Sequence, residues 1–418
     1  MARSLTARDA HAIINSVAKQ ATGQTTLTAT DASSFVSVGE TILATGMENT
    51  LNALSIVLGK TFMAVRPYSA KLNIINAEDS NLYNTRKRKI SFYSKNALES
   101  GDWNTQLNTN LADGYDNGSN GGTSTASMWE QHQPIALEMN FAGQSVWEDS
   151  ITRYENQVKQ AFRSEDEFIA FISGVMTEKE NDIESQKEAF NRMNLLNYVS
   201  GLYDMSAGNY GPRAIDLVAG YNAKFGTSYT GSQLRTTYLK SFLEYFISVF
   251  KYESDMMEER SLRNHWSPTK TVGGDTYDIL RHTPKADQRA ILYNPLFIDA
   301  EAMVMPEIFN DRYLKLNQGE RINFWQSQDT PAGISFTPAI PDAAGTNNGE
   351  QTSGAAVALD YVVGVLYDKD ALVTDFQFEA ANATPLEARK RYYNIWWSFS
   401  KNAINDFTEN GILFYMAS

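Results

Sequence analysis

The chain has 418 residues and not one cysteine, which excludes disulfides, thiolate metal ligands and a cysteine nucleophile. Stability must come from packing, within the chain or against neighbours. Histidine is scarce as well: the four are His11, His132, His265 and His282, and no two fall at the spacing of ligands on one helix face. The sequence contains no H-E-x-x-H, no phosphate loop, no dinucleotide glycine fingerprint after a strand and no G-x-S-x-G elbow. We therefore expect no catalysis, no cofactor and no metal. No stretch approaches the roughly 18 apolar residues of a membrane span. The opening twenty residues carry Arg3, Arg8, Asp9 and Lys19 without an apolar segment of signal-peptide length, so a cytoplasmic site of synthesis and assembly is expected. Basic excess is missing too, since the net charge is −13, against the positive footprint that direct nucleic-acid binding requires.

One enzyme class survives these exclusions, because glycoside hydrolysis needs only two carboxylates a few ångströms apart. Trp103, Trp129 and Trp147 beside Asp102, Glu130 and Glu148 would be its sugar platform. That reading makes the chain a secreted glycan-binding or glycan-cleaving protein, and the missing signal segment speaks against it. Tryptophan in such places also anchors protein interfaces.

What is present is organised around Ser164 to Tyr198, which reads as one long helix. Ser164 with Glu167 forms a capping-box start, and Gly201 stands where a left-handed cap would end the helix. Ile169, Ile172, Met176, Ile183, Phe190 and Met193 recur at helical steps along one face, with Glu178, Glu180, Asp182, Glu184 and Glu188 opposite. The pattern fits either a surface helix packed by one stripe or a spine joining two parts of an elongated subunit.

Ahead of it, Lys87 to Tyr93 and Ile135 to Phe141 alternate in strand fashion, with Ile90 and Phe92 on one side of the first and Leu137, Met139 and Phe141 on one side of the second. They read as the arms of one hairpin. Residues 100 to 127 between them are rich in Asn, Gly, Thr and Ser, and so long a connection is seldom part of a compact domain. The segment from Pro67 to Gln144 is thus expected to project from the body, with the basic cluster Arg86, Lys87, Arg88 and Lys89 at its base. Phosphate binding, a salt bridge to an acidic neighbour and plain solvation all remain open for that cluster. Thr22 to Ser37 is too polar to form a core by itself, so this N-terminal arm is expected to lean on a neighbouring subunit.

Further on, Val146 to Phe162 reads as a short helix, as do Ala214 to Phe225 and Ser232 to Met257. Ser267 to Leu292 reads as extended pieces, and Gln326 to Gly354 as a long loop. Val362 to Leu366 is a short apolar strand. Arg391 to Phe399 alternates as an aromatic strand that must be covered, and Asn410 with Gly411 turns the chain into a last strand, Ile412 to Met416.

Several of these stretches, taken in order, resemble the major capsid proteins of tailed bacteriophages with the Hong Kong 97 fold. They are Arg86 to Tyr93 followed by Ser100, Gly101, Asp102 and Trp103; Ser164 to Phe168; Thr283 to Gln288 leading into Ala290 to Phe297; Val363 to Leu372; and Arg391 to Phe399 followed by Glu409 to Met416. Each is unspecific alone; their order around a long helix and a polar hairpin carries the resemblance. It implies an α+β fold with an N-terminal arm (1–62), an extended loop (63–144), a peripheral domain with the spine helix (145–199, completed by about 375–404) and an axial domain (200–374, completed by 405–418). It also implies self-assembly into hexamers and pentamers of an icosahedral shell around double-stranded DNA, in a virion built in the bacterial cytoplasm. Expected partners are further copies of the chain, a separate scaffolding protein, a portal and decoration proteins, with no sequence-specific DNA contact and no membrane. Candidate subunit contacts are Phe35, Val38, Arg86, Lys87, Arg88, Lys89, Asp102 and Trp103. An encapsulin-type nanocompartment is the alternative on the same fold.

Overall fold

The structure, a computed structural model, describes residues 7–24, 26–46, 49–50, 53, 72–76, 87–94, 135–141, 145–154, 162, 164–206, 213–268, 270–272, 275–303, 319–342, 351–387 and 389–417. The tip of the expected projection, including Asp102 and Trp103, and the residue Arg86 at its base lie outside that set.

Two helices open the chain, α1 (Ala7–Thr22) and α2 (Ala32–Ala44). Asp31 starts the second: its side chain accepts from the Ser34 N–H, and the Ser34 hydroxyl accepts in return from the Asp31 N–H, a reciprocal cap. A hairpin follows, strands β1 (Lys87–Phe92) and β2 (Ala136–Phe141), antiparallel with Lys87 opposite Phe141 and Phe92 opposite Ala136. The next segment, expected to be helical, is instead a strand, β3 (Ser145–Tyr154). Its residues alternate, Trp147 and Ile151 turning inward, and Trp147 stacks on Phe399 at 4.8 Å. Period-2 burial against an aromatic strand overrides its helix-like composition.

The long helix α3 spans Glu165–Ser206, 42 residues or about 63 Å. The Ser164 hydroxyl accepts from the Glu167 N–H at 3.2 Å, so the start is where expected. The end is not. Gly201 lies inside the helix, and a Cβ there would sit 2.5 Å from the Phe407 ring. That glycine is needed for close packing rather than as a cap. Nor does one stripe hold the helix. Phe168 packs with the N-terminal helices, Ile183 with the aromatic strand, and Leu195 through Met205 with the main core, whereas Met193 is 49% exposed. Of the two readings of this helix, the spine describes what is seen.

After it come β4 (Ala214–Asp216), α4 (Leu217–Phe225), α5 (Gly231–Thr236) and α6 (Leu239–Met256). Asp216 caps α4 by accepting from the Val218 N–H at 2.9 Å, and Gly226, with φ +64°, ends it. The single helix expected over 232–257 is therefore broken in two, between Thr236 and Leu239. Strands β5 (Lys270–Val272), β6 (Asp275–Tyr277) and β7 (Gln288–Tyr293) follow, then α7 (Asn294–Met303), with Pro295 in its first turn, where a missing N–H is harmless. Strand β8 is Gly319–Ile322. The expected loop from Gln326 contains β9 (Ile334–Phe336), β10 (Ala339–Pro341) and β11 (Gln351–Ser353). The chain finishes with β12 (Val357–Leu359), β13 (Tyr361–Asp368), β14 (Leu372–Ala383), β15 (Tyr392–Asn405) and β16 (Gly411–Met416).

Two sheets organise this α+β fold. In the larger the order is β4, β16, β13, β7, β8, the outer pairs parallel and the inner ones antiparallel. Its central strands are nearly continuous apolar runs, as strands covered on both faces must be: Ile412, Leu413 and Phe414 of β16 and Val362, Val363, Val365 and Leu366 of β13 are fully buried. In the smaller sheet β15 lies between β14 and β3, its Tyr393, Ile395, Trp397 and Phe399 buried. Helix α3 contacts β14 and β15 of this sheet and β4 and β16 of the other.

Candidate assembly interface

The hairpin base and the turn between β15 and β16 are built for each other. Asp406 shapes that turn, its Oδ1 accepting from the Thr408 N–H at 2.9 Å and the Thr408 hydroxyl at 2.6 Å, a local arrangement that aspartate favours. Its other oxygen accepts from Lys89 of β1, which also pairs with Glu409 and donates to the Thr408 hydroxyl at 3.1 Å. Phe407, between them, stacks on Tyr198 of α3 at 5.4 Å. One short turn thus holds both the hairpin and the long helix.

Arg281 completes the anchorage. It donates through Nη2 to the Ser91 hydroxyl at 2.6 Å and through Nε to the Thr408 carbonyl at 3.1 Å, and it lies 3.4 Å from Glu409. Farther along, the Ser94 N–H donates to the Asp278 carbonyl at 2.9 Å and Arg260 donates to the Ser94 hydroxyl at 2.6 Å. Burial pushes the Glu409 carboxyl above its ordinary range, outweighing the downward pull of Lys89 and Arg281.

Pairing inverts the facing that alternation alone suggests. Lys89 and Ser91, the polar side of β1, point to the body because charge partners wait there. Ile90 and Phe92, the apolar side, point away and are 51% and 63% exposed. Isolated exposed apolar side chains are common; two neighbours on one face of a two-stranded ribbon are less easily dismissed. The outward face of the small sheet is mixed: Val146, Tyr154 and Trp396 are exposed there, Tyr154 edge-on to Tyr392 at 6.4 Å, with Glu148, Ser150 and Thr152 between them.

The sequence-derived contact residues fare unequally. Lys89 is occupied by this chain's own Asp406 and Glu409, so the neighbour it salt-bridges is internal. Phe35 and Val38 are buried, at 0% and 4% exposure, in a cluster with Ile14 and Val17 of α1, Phe162, Phe168 and Tyr393. Both side chains are therefore enclosed by their own chain, through apolar faces at helical spacing on either side of the polar stretch between the helices. Lys87 and Arg88 lie on β1; Arg86, Asp102 and Trp103 fall outside the described residues. Ile90 and Phe92 were visible as an apolar pair, but only the partners of Lys89 decide which way they point.

A buried polar group adjoins the turn. His265 donates from Nε2 to the Ile279 carbonyl at 2.6 Å, which, the acceptor being a carbonyl, assigns the proton to that nitrogen. Burial lowers its pKa to about 4, helped by the positive charges of Arg213 and Arg281. The described residues hold no group of three or more His, Asp or Glu that could bind a metal ion, and no described helix is long and apolar enough to cross a membrane.

No protein-family model matches the chain, and no curated protein does. Among solved structures it is similar to a chain of the capsid of Staphylococcus phage Andhra, at 10% identity and TM-score 0.49, over 83% of this chain and 84% of that one. It is similar to a chain of the mature capsid of bacteriophage PhiM1 at 10% identity and TM-score 0.40, covering 84% and 88%. For the capsid of Myoviridae phage XM1 the values are 14%, 0.36, 83% and 93%.

Proposed function

We propose that this chain is the major capsid protein of a tailed bacteriophage, a structural protein of the Hong Kong 97 type and not an enzyme. Copies close into hexamers and pentamers of an icosahedral shell that encloses double-stranded DNA. The observation that carries the reading is the docked hairpin: its polar side is latched to the body by Lys89 and Ser91, while Ile90 and Phe92 face away, available to a second copy. A repeated contact of that kind between unlike surfaces closes rings when the rotation suits. Residues 1–62 are the arm, 63–144 the extended loop, 145–199 with 375–404 the peripheral domain, and 200–374 with 405–418 the axial domain. Partners are other copies, a separate scaffolding protein, a portal and decoration proteins, the particle assembling in the bacterial cytoplasm. The net charge of −13 suits a container from which DNA must depart.

Electron microscopy of the expressed protein, alone and with a candidate scaffolding protein, tests this. Closed shells are expected from the wild type, and folded but unassembled subunits from the double variant Ile90→Ser, Phe92→Ser. A wild type that stays a compact monomer at high concentration overturns the proposal. Shells whose genomic neighbours are an enzyme cargo rather than portal and terminase genes would instead point to a nanocompartment.

A further inference from the structure

Apart from the cluster at the hairpin base, the longest unbroken basic run in the sequence is Arg389, Lys390 and Arg391. It lies in the turn from β14 to β15, at the end of the small sheet where Tyr154 of β3 stands opposite Tyr392. All three residues are exposed, and no described carboxylate pairs with Arg389 or Lys390.

The turn holds its shape without using those side chains. Glu387, the one acid between Thr384 and Arg391, has its carboxylate engaged by the Lys390 N–H. Its own N–H donates to the Tyr392 carbonyl at 3.0 Å, and its carbonyl accepts from the Arg391 N–H at 2.8 Å. Thr384 braces the other side: its N–H donates to the Asn394 carbonyl at 2.8 Å, and its hydroxyl accepts from the Asn394 N–H at 3.1 Å. Arg391 is thereby held at φ +53°, a left-handed backbone that suits glycine or asparagine and that arginine adopts only under strain. A neutral residue would make this turn more comfortably, so the charge is kept for something outside it. Leu386, 37% exposed, and Tyr154, 52% exposed, share this end of the sheet. Arginine and tyrosine around an apolar contact are the composition of a protein interface centre.

The chain itself supplies the complement. Its net charge of −13 includes these three positive charges, so the rest of each copy is more acidic still and presents carboxylates to a basic tip. We propose that the turn Arg389 to Arg391 is a docking tip that binds carboxylates on the surface of a second copy of this chain. The proposal rests on the shell reading and adds a charged contact to the apolar one at Ile90 and Phe92.

Particles assembled from an equal mixture of unlabelled and 15N-labelled wild-type chains are treated with a carbodiimide, which joins an amine to a carboxylate only where the two touch. Mass spectrometry should find Lys390 joined to Asp or Glu peptides that carry the other label. The variant Arg389→Gln, Lys390→Gln should keep the wild-type melting temperature, because both side chains are exposed, yet need about tenfold more protein to assemble, the contribution of two exposed ion pairs. The exchange Arg389→Lys, Lys390→Arg should assemble as the wild type does. The proposal is overturned if Lys390 in closed particles is joined only within its own chain or not at all, or if the glutamine variant assembles at the wild-type concentration. It is also overturned if unassembled wild type binds a short DNA duplex and the glutamine variant does not, which would assign the tip to nucleic acid. Closed particles without the crosslink leave the shell reading standing, whereas a wild type that forms no particles sinks both.

Discussion

The N-terminal arm and the hairpin projection both carry polar stretches, Thr22 to Ser37 and residues 100 to 127, yet the helices of the one and the strands of the other place their apolar side chains in opposite ways. In α1 and α2, apolar residues at three- and four-residue steps converge on one side of each helix, so Phe35 can be enclosed by Phe162 and Phe168 of its own chain. A two-stranded ribbon has two faces and can dock only one. In this hairpin the docked face is the polar one, because Asp406 and Glu409 neutralise Lys89 there. The lesson is that a shortage of grease does not by itself identify an interface; the facing of what little there is does.

The contrast can be broken first at its strongest point. Truncating Phe35 to Ala should destabilise the subunit by about 3 to 5 kcal/mol, read by denaturant unfolding, since the ring is wholly enclosed. A loss under about 1 kcal/mol would mean the arm does not rely on its own chain.

A pH series probes the turn that serves the hairpin. His265 has a folded pKa of about 4 against roughly 6.5 unfolded. The unfolded chain therefore takes up the proton first, and this contribution to stability is intact above pH 6.5 and lost as pH falls toward 4. Wild type should lose about 3 kcal/mol more than His265→Gln between pH 7 and pH 4. Glu253, Asp368 and Glu409, whose carboxyls burial raises, act in the opposite sense, gaining stability as pH falls through their raised values. Comparing the two proteins at each pH cancels them.

Replacing Lys89 with Met leaves Asp406 and Glu409 without their lysine, and unfolding should reveal a loss of about 2 kcal/mol, below that of a fully buried pair because the lysine retains some solvent. Hydrogen exchange at β1 should rise with it. The smallest effect on stability is expected for Ile90→Ser with Phe92→Ser, within about 0.5 kcal/mol of wild type, although the same variant should abolish assembly. Equal stability with intact shells would remove the hairpin from the interface.

Much of the architecture was legible. Both hairpin strands, the start of the long helix at Ser164 and the aromatic and terminal strands follow from local period and capping. The misread parts share a cause. Val146 to Tyr154 carries enough mixed composition to pass for a helix until the aromatic strand is placed beside it, and Gly201 passes for a cap until Phe407 arrives from two hundred residues downstream. At the candidate interface the basic cluster and the apolar pair Ile90 and Phe92 were both visible, but not which side of the strand would face the body.

From the sequence alone came the absence of thiol and motif chemistry, the acidic balance, and the kind of element at most positions, because period, caps and composition act over a few residues. Only the tertiary structure decided that Lys89 turns inward and Phe92 outward, that Phe35 is enclosed by its own chain, and that one helix threads three clusters. Those outcomes depend on which distant groups meet, and a carboxylate more than three hundred residues away leaves no trace in the local pattern of a strand.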